Sequence, residues 1–105
     1  MANGARTSSA KGDPTEVTAE DARRALQAAV GDRVRAVRAE RGIGQAECAR
    51  GAGIDTSSMF RIEKGGQNLT VETLARLALS LGVGMDELVA GVEPDPAIIE
   101  PRSRG

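Results

Sequence analysis

The feature that most constrains this chain is a pair of short segments with helical apolar spacing set on either side of one glycine. Residues 45–52 are closed by Gly53; Asp55 then stands as a cap before residues 56–64, which end at Gly65-Gly66. Gly53 tolerates the left-handed conformation that a tight turn between helices requires, so the two segments read as short helices meeting through a three- or four-residue turn. A chain of 105 residues built this way has room for one domain, and a compact all-α one suffices.

The remaining segments supply helices around that pair. Thr18-Ala-Glu-Asp opens a first helix, with a threonine cap and carboxylates near the positive helix end. Ala22, Leu26, Ala29, Val30, Val34 and Val37 then recur at helical spacing. This stretch is either one helix to about Arg41, bent near Gly31-Asp32, or two, and Gly42 ends it. Downstream, Thr70 caps a helix to Leu81 whose Leu74, Leu77, Ala78 and Leu81 share a face, and Gly82 stops it. Met85-Asp-Glu-Leu-Val makes a short fifth helix ending near Gly91, with Met85, Leu88 and Val89 expected in the core or, as the alternative, the helix contributing to a dimer seam. Residues 1–17 are small and polar without an apolar period and read as a disordered tail. Residues 92–105, broken by Pro94, Pro96 and Pro101, read as a flexible tail. The domain is therefore expected over residues 18–91.

Composition removes several functions. Phe60 is the only aromatic residue, so the core must be aliphatic helix-to-helix contact. There is no His and only one Cys. Cys48 alone supplies no zinc site, and a Ser-His or Cys-His nucleophile pair is impossible, so neither a metal, a cofactor nor an enzymatic activity is expected. A lone Cys fits a cytoplasmic setting, and no apolar run approaches the ~18 residues of a membrane span. Cys48 reads as a small buried apolar group. The formal net charge is −1, but its distribution is uneven. Residues 30–66 carry seven basic and five acidic side chains (net +2), whereas residues 67–105 carry three and six (net −3).

The second helix of the pair divides cleanly. At about 100° per residue, Met59 and Ile62 fall on one side and Thr56, Ser57, Phe60 and Arg61 on the other. The first pair forms a buried stripe. The second set offers two hydroxyls, a flat apolar ring and a guanidinium, groups that contact base edges, thymine methyls and guanine. For Phe60, local packing or partner contact is an equal alternative.

The run from Gln45 to Gly65, Gln-Ala-Glu-Cys-Ala-Arg-Gly-Ala-Gly-Ile-Asp-Thr-Ser-Ser-Met-Phe-Arg-Ile-Glu-Lys-Gly, resembles the helix-turn-helix of the phage-repressor (Cro/Xre) family of transcriptional regulators. Arg35-Ala-Val-Arg-Ala-Glu-Arg-Gly upstream and Thr70-Val-Glu-Thr-Leu-Ala-Arg-Leu-Ala-Leu-Ser-Leu-Gly-Val downstream extend the similarity to about residues 30–91. The resemblance implies a five-helix, lambda-repressor-like domain that binds double-stranded operator DNA as a homodimer on a near-palindrome. By position it implies that Gln45 hydrogen-bonds a phosphate and braces the recognition helix, that Thr56, Ser57 and Arg61 face bases, and that Ser58 reaches a phosphate or base edge. It further implies that Lys64 and the loop Gly66, Gln67 and Asn68 meet phosphates, and that Arg38 and Glu63 form a structural ion pair. The chain departs from the family pattern at Cys48, where Leu is usual, at Gly44, where a polar cap is common, at Leu69, where Pro is frequent, and at Phe60, where a small or polar residue is common. Apart from Arg38, the basic run Arg33, Arg35 and Arg41 reads as a solvated helix face.

A different class stays open on sequence grounds: a protein-interaction module, such as the DNA-binding antitoxin of a toxin–antitoxin pair. In that reading the tails bind a protein partner, with Ile98-Ile99 among the prolines as the segment that orders on it.

Overall fold

Three of the four α-helices begin where a side-chain oxygen meets an amide that the helix itself leaves unpaired. In the computed structural model, which describes residues 16–99, Thr18 opens α1 (Ala19–Glu40) through a reciprocal pair. The Asp21 amide donates to Thr18 Oγ1 at 3.0 Å, and the Thr18 amide donates to Asp21 Oδ2 at 3.3 Å. Asp55 Oδ1 accepts from the Ser58 amide at 2.7 Å to open α3 (Thr56–Glu63). Thr70 Oγ1 accepts from the Thr73 amide at 3.0 Å to open α4 (Val71–Leu81). The exception is α2 (Gln45–Ala52), whose cap residue Gly44 has no side chain to offer.

Of the alternatives open for the first segment, the structure takes the single helix: α1 runs unbroken through Gly31. Glycine inside a helix costs about 1 kcal/mol relative to alanine, and the reason it stands here lies across the core. A Cβ on Gly31 would collide with the Ile62 carbonyl oxygen at the end of α3. The bare backbone lets α1 and α3 approach closely enough for the contacts described below.

The stretch expected as a fifth helix is a 3-10 helix, Met85–Val89, and a second one follows at Pro96–Ile98. The described residues thus form an all-α fold of four α-helices and two 3-10 helices, without a strand. Gly84 gives the first of these no cap bond, and five residues are too few to propagate an α-helix. The expected core is corrected too: Leu88 is fully buried, but Val89, set about 120° from it by the 3-10 winding, and Met85, at the uncapped start, are exposed. Pro96–Ile98 packs against α1, with the Ala97 amide donating to Asp95 Oδ1 at 2.8 Å. That part of the segment expected as a flexible tail therefore carries local structure seated on the first helix. Residues 1–15 and 100–105 lie outside the described residues.

The core is aliphatic, as the single aromatic residue requires. Val34 and Val37 of α1, Cys48, Ala49 and Ala52 of α2, Met59 and Ile62 of α3, and Leu77, Ala78 and Leu81 of α4 enclose Leu88 in one cluster. Each large side chain taken fully out of water there contributes roughly 1.5–3 kcal/mol. Cys48 is fully buried, and burial pushes its thiol above the ordinary cysteine range, so it packs as a small apolar group rather than a reactive thiolate. Two polar contacts fasten α2 to α4 beside it. Ser80 Oγ donates to the Cys48 carbonyl at 2.8 Å, and Arg76 Nη1 donates to the Ala52 carbonyl at 3.2 Å.

Candidate nucleic-acid interface

Gly53 makes the turn between α2 and α3 possible. Its φ of 72° lies in the left-handed region, and from there the Ile54 amide returns to the Ala49 carbonyl at 3.0 Å. Gly53, Ile54 and Asp55 are the whole connection. The Asp55 carboxylate that ends it sits below the usual aspartate range because it accepts from the Ser58 amide and from the Ser58 and Ser57 side chains. The start of α3 is thereby held by an ionised cap across the physiological range.

What α3 buries is settled by its own spacing. Met59 and Ile62 are in the core, and Glu63 joins them at 7% exposure. Thr56, Ser57, Phe60 and Arg61 of α3, and the cap residue Lys64, are exposed, while Ser58 is half-buried. Helix 56–64 of the sequence reading ends one residue earlier, with Lys64 as the C-cap.

Glu63 is anchored from two helices. Arg38 of α1 donates from Nε to Oε2 at 2.6 Å and from Nη2 to Oε1 at 3.0 Å, a bidentate pair, while its Nη1 donates to the Ile43 carbonyl at 2.9 Å. Gln45 at the start of α2 donates from Nε2 to Oε1 at 2.9 Å. Burial pushes the Glu63 carboxyl upward, but the hydrogen bonds from Arg38 and Gln45 and the Arg38 charge outweigh it. The group lies below the ordinary glutamate range. Three helices are thus pinned at one carboxylate, and the brace on α3 from Gln45 runs through Glu63. One Gln45 N–H is left over for a further acceptor.

On the opposite side, Arg61 is held from two directions. Its Nη2 donates to Ser58 Oγ at 3.2 Å and its Nε to Gln67 Oε1 at 3.4 Å. The Lys64 ammonium stands 5.2 Å from the centre of the Phe60 ring. Phe60 and Lys64, together with Asp32, Arg35, Gln45 and Glu63, line a cleft of about 440 Å³ between α3 and α1. In the loop, Gly66 and Asn68 are exposed and Gln67 is half-buried. Its entry is tied by the Gly66 amide to the Arg61 carbonyl at 2.9 Å.

Of the arginines expected on a solvated face of α1, Arg33 departs from that place. Arg33, expected in solvent, donates from Nε and Nη2 to the Glu87 carbonyl at 3.0 and 2.8 Å, supporting the first 3-10 helix. Nothing in its local sequence marks a partner 54 residues away. Arg35 is exposed, as expected of a solvated helix face, and lines the cleft while paired with Asp32 at 3.0 Å. Its spacing three residues before Arg38 was the available signal, since both then lie on the side of α1 that faces α3.

The described residues contain no group of three or more His, Cys, Asp or Glu side chains that could hold a metal ion. No helix among them is long and apolar enough to cross a membrane.

A family model described as Helix-turn-helix matches residues 34–88, just over half of the sequence. The transcriptional repressor RstR of the cryptic phage CTXphi, from Vibrio cholerae, is 38% identical over 61 residues, or 58% of this chain and 55% of that protein. The chain therefore spans about half the length of this curated relative. Among solved structures, the restriction-modification controller protein C.AhdI from Aeromonas hydrophila is similar with a TM-score of 0.58 at 29% identity, over 59% of this chain and 94% of that one. The clp gene regulator ClgR from C. glutamicum is similar with a TM-score of 0.59 at 25% identity, over 61% of this chain and 83% of that one. The motif, the fold and the family match agree, and the chain belongs to the phage-repressor (Cro/Xre) type of helix-turn-helix proteins.

Proposed function

We propose that this chain is a sequence-specific DNA-binding transcriptional regulator, acting as a repressor, and that it works by binding rather than by catalysis. The observation that carries the reading is the divided surface of α3. Its inner side is anchored in the core and to Glu63, while its outer side leaves Thr56, Ser57, Phe60 and Arg61 in solvent beside Lys64. A major groove admits one α-helix, and hydroxyl, guanidinium and flat apolar groups are what its base edges and thymine methyls accept. Helix α3 enters the groove, with Thr56, Ser57 and Arg61 toward bases and Ser58 at a phosphate or base edge. Phe60 is placed to touch a thymine methyl and to carry Lys64 toward the backbone. Gln45, with its spare N–H, Lys64, Gly66 and Asn68 hold phosphates around the helix.

Two copies would read a near-palindrome, their recognition helices about 34 Å apart. A cytoplasmic homodimer is the form proposed, and repression follows when the dimer occupies polymerase's site. The repressor relative and the two regulator structures support the same assignment.

The test is selection of bound sequences from random duplex DNA, followed by titration at several salt concentrations. The expected result is an enriched two-fold site whose affinity falls steeply with salt as phosphate contacts release counterions. No enrichment, together with a flat salt response, would refute the assignment.

A further inference from the structure

We infer that Gln67 is a positioning residue for Arg61, setting its guanidinium to read guanine, and is not a phosphate ligand. The inference rests on the proposal that α3 enters the major groove, and it assigns Gln67 a role different from the one implied by family resemblance.

A guanidinium has five N–H donors and no acceptor, so any partner must show it an oxygen. Gln67 does so: its Oε1 takes the Nε–H of Arg61 at 3.4 Å. Ser58 Oγ takes one N–H of Nη2 at 3.2 Å, and with Gln67 on Nε the two oxygens occupy the edge formed by Nε and Nη2. Three donors remain, the second of Nη2 and both of Nη1. With Nε occupied, the edge formed by Nε and Nη2 is closed to a base. The end formed by Nη1 and Nη2 is open, and this fork matches the O6 and N7 acceptors of guanine.

The two holders also come from opposite ends of the site. Ser58 stands one turn back on α3, with its own amide on the Asp55 cap. Gln67 stands in the loop beyond the end of the helix, where the Gly66 amide is tied to the Arg61 carbonyl at 2.9 Å. Backbone and side chain of residue 61 are therefore both fastened to this loop. Gln67 is half-buried, whereas its neighbours Gly66 and Asn68 are exposed, as phosphate-facing groups would be. A long arginine otherwise loses rotamer freedom on binding, and holding it in place beforehand lowers that cost.

The experiment uses the full chain and the duplex selected as above. Binding is measured to that duplex and to duplexes in which each guanine in turn is replaced by 7-deazaguanine, which lacks the N7 acceptor. Wild type should lose at least about fivefold at one guanine in each half-site, the scale of a bidentate contact. Arg61→Ala should abolish that loss and so mark the guanine. Gln67→Ala should reduce the loss at the same guanine to about twofold or less. Gln67→Glu, which keeps an acceptor for Nε, should retain the wild-type ratio even if repulsion from phosphates lowers affinity on every duplex. An unchanged ratio for Gln67→Ala, with affinity reduced evenly on all duplexes, would overturn the positioning role while leaving DNA recognition standing. Failure of wild type to select any duplex would overturn both.

Discussion

Glu63 and Arg61 lie two residues apart on α3 and are built on opposite terms. Glu63 has both carboxylate oxygens satisfied by Arg38 and Gln45 and is almost wholly out of water. Arg61 is in solvent, holds two neutral side-chain oxygens, and keeps three donors free. The inner arrangement is saturated and stabilises a position; the outer one is unsaturated and leaves capacity for a partner. A functional surface in so small a domain is recognised less by its charge than by polar groups that are oriented yet not fully used. The formal charge of −1 would not have found it.

This contrast predicts that inner substitutions damage the fold and outer ones damage binding. The largest effect is expected for Met59→Ala. It leaves a cavity in the centre of the core and should cost about 3–4 kcal/mol in urea unfolding. Such a loss approaches the whole stability of a small domain, so a well-folded variant with native stability would break the inner half of the comparison. Glu63→Ala should cost about 3 kcal/mol, because it strands the Arg38 guanidinium among buried groups. A loss below about 0.5 kcal/mol would mean that the three-helix anchor contributes little. Lys64→Ala should leave the unfolding midpoint nearly unchanged. It should weaken binding evenly across DNA sequences and lower the slope of log affinity against log salt by about 1. A sequence-dependent loss would instead move Lys64 from the backbone to a base.

The smallest effect is in acid. The Glu63 carboxyl is lower in the folded state than its ordinary value of 4.5. The folded state therefore binds fewer protons in that range, and the stability this group contributes is fully present above about pH 4.5 and is lost as pH falls through the lower folded value. Glu63→Gln should be less stable than wild type at neutral pH and should lose less on acidification below 4.5. Parallel pH profiles for the two proteins, followed by chemical unfolding, would show that this carboxylate is not linked to folding.

Much of the fold was legible because it rests on local rules. Thr18, Asp55 and Thr70 are caps that announce themselves beside apolar periods, and Gly53 and Gly82 adopt the left-handed φ of 72° and 71° expected of them. Which side of α3 is buried also followed from spacing alone, since Met59 and Ile62 are one turn apart. What escaped depends on distant partners. Gly31 looked like a place to bend or break a helix, and only the Ile62 carbonyl across the core explains why a glycine stands within an unbroken one. Arg33 is held by a carbonyl far along the chain. Val89 was placed in the core by counting α-helical turns through a segment that winds as a 3-10 helix. At the site, side-chain types and the exposed face were readable, but the pairing of Arg61 with Gln67 was not, because loop geometry decides it.

The central claim, that the outer side of α3 reads DNA, is tested most directly by titrating wild type and Arg61→Ala against the selected operator, with helical content measured on both. The variant should bind about 1–3 kcal/mol more weakly, with unchanged helical content. Equal affinity of the two proteins for that operator would contradict it.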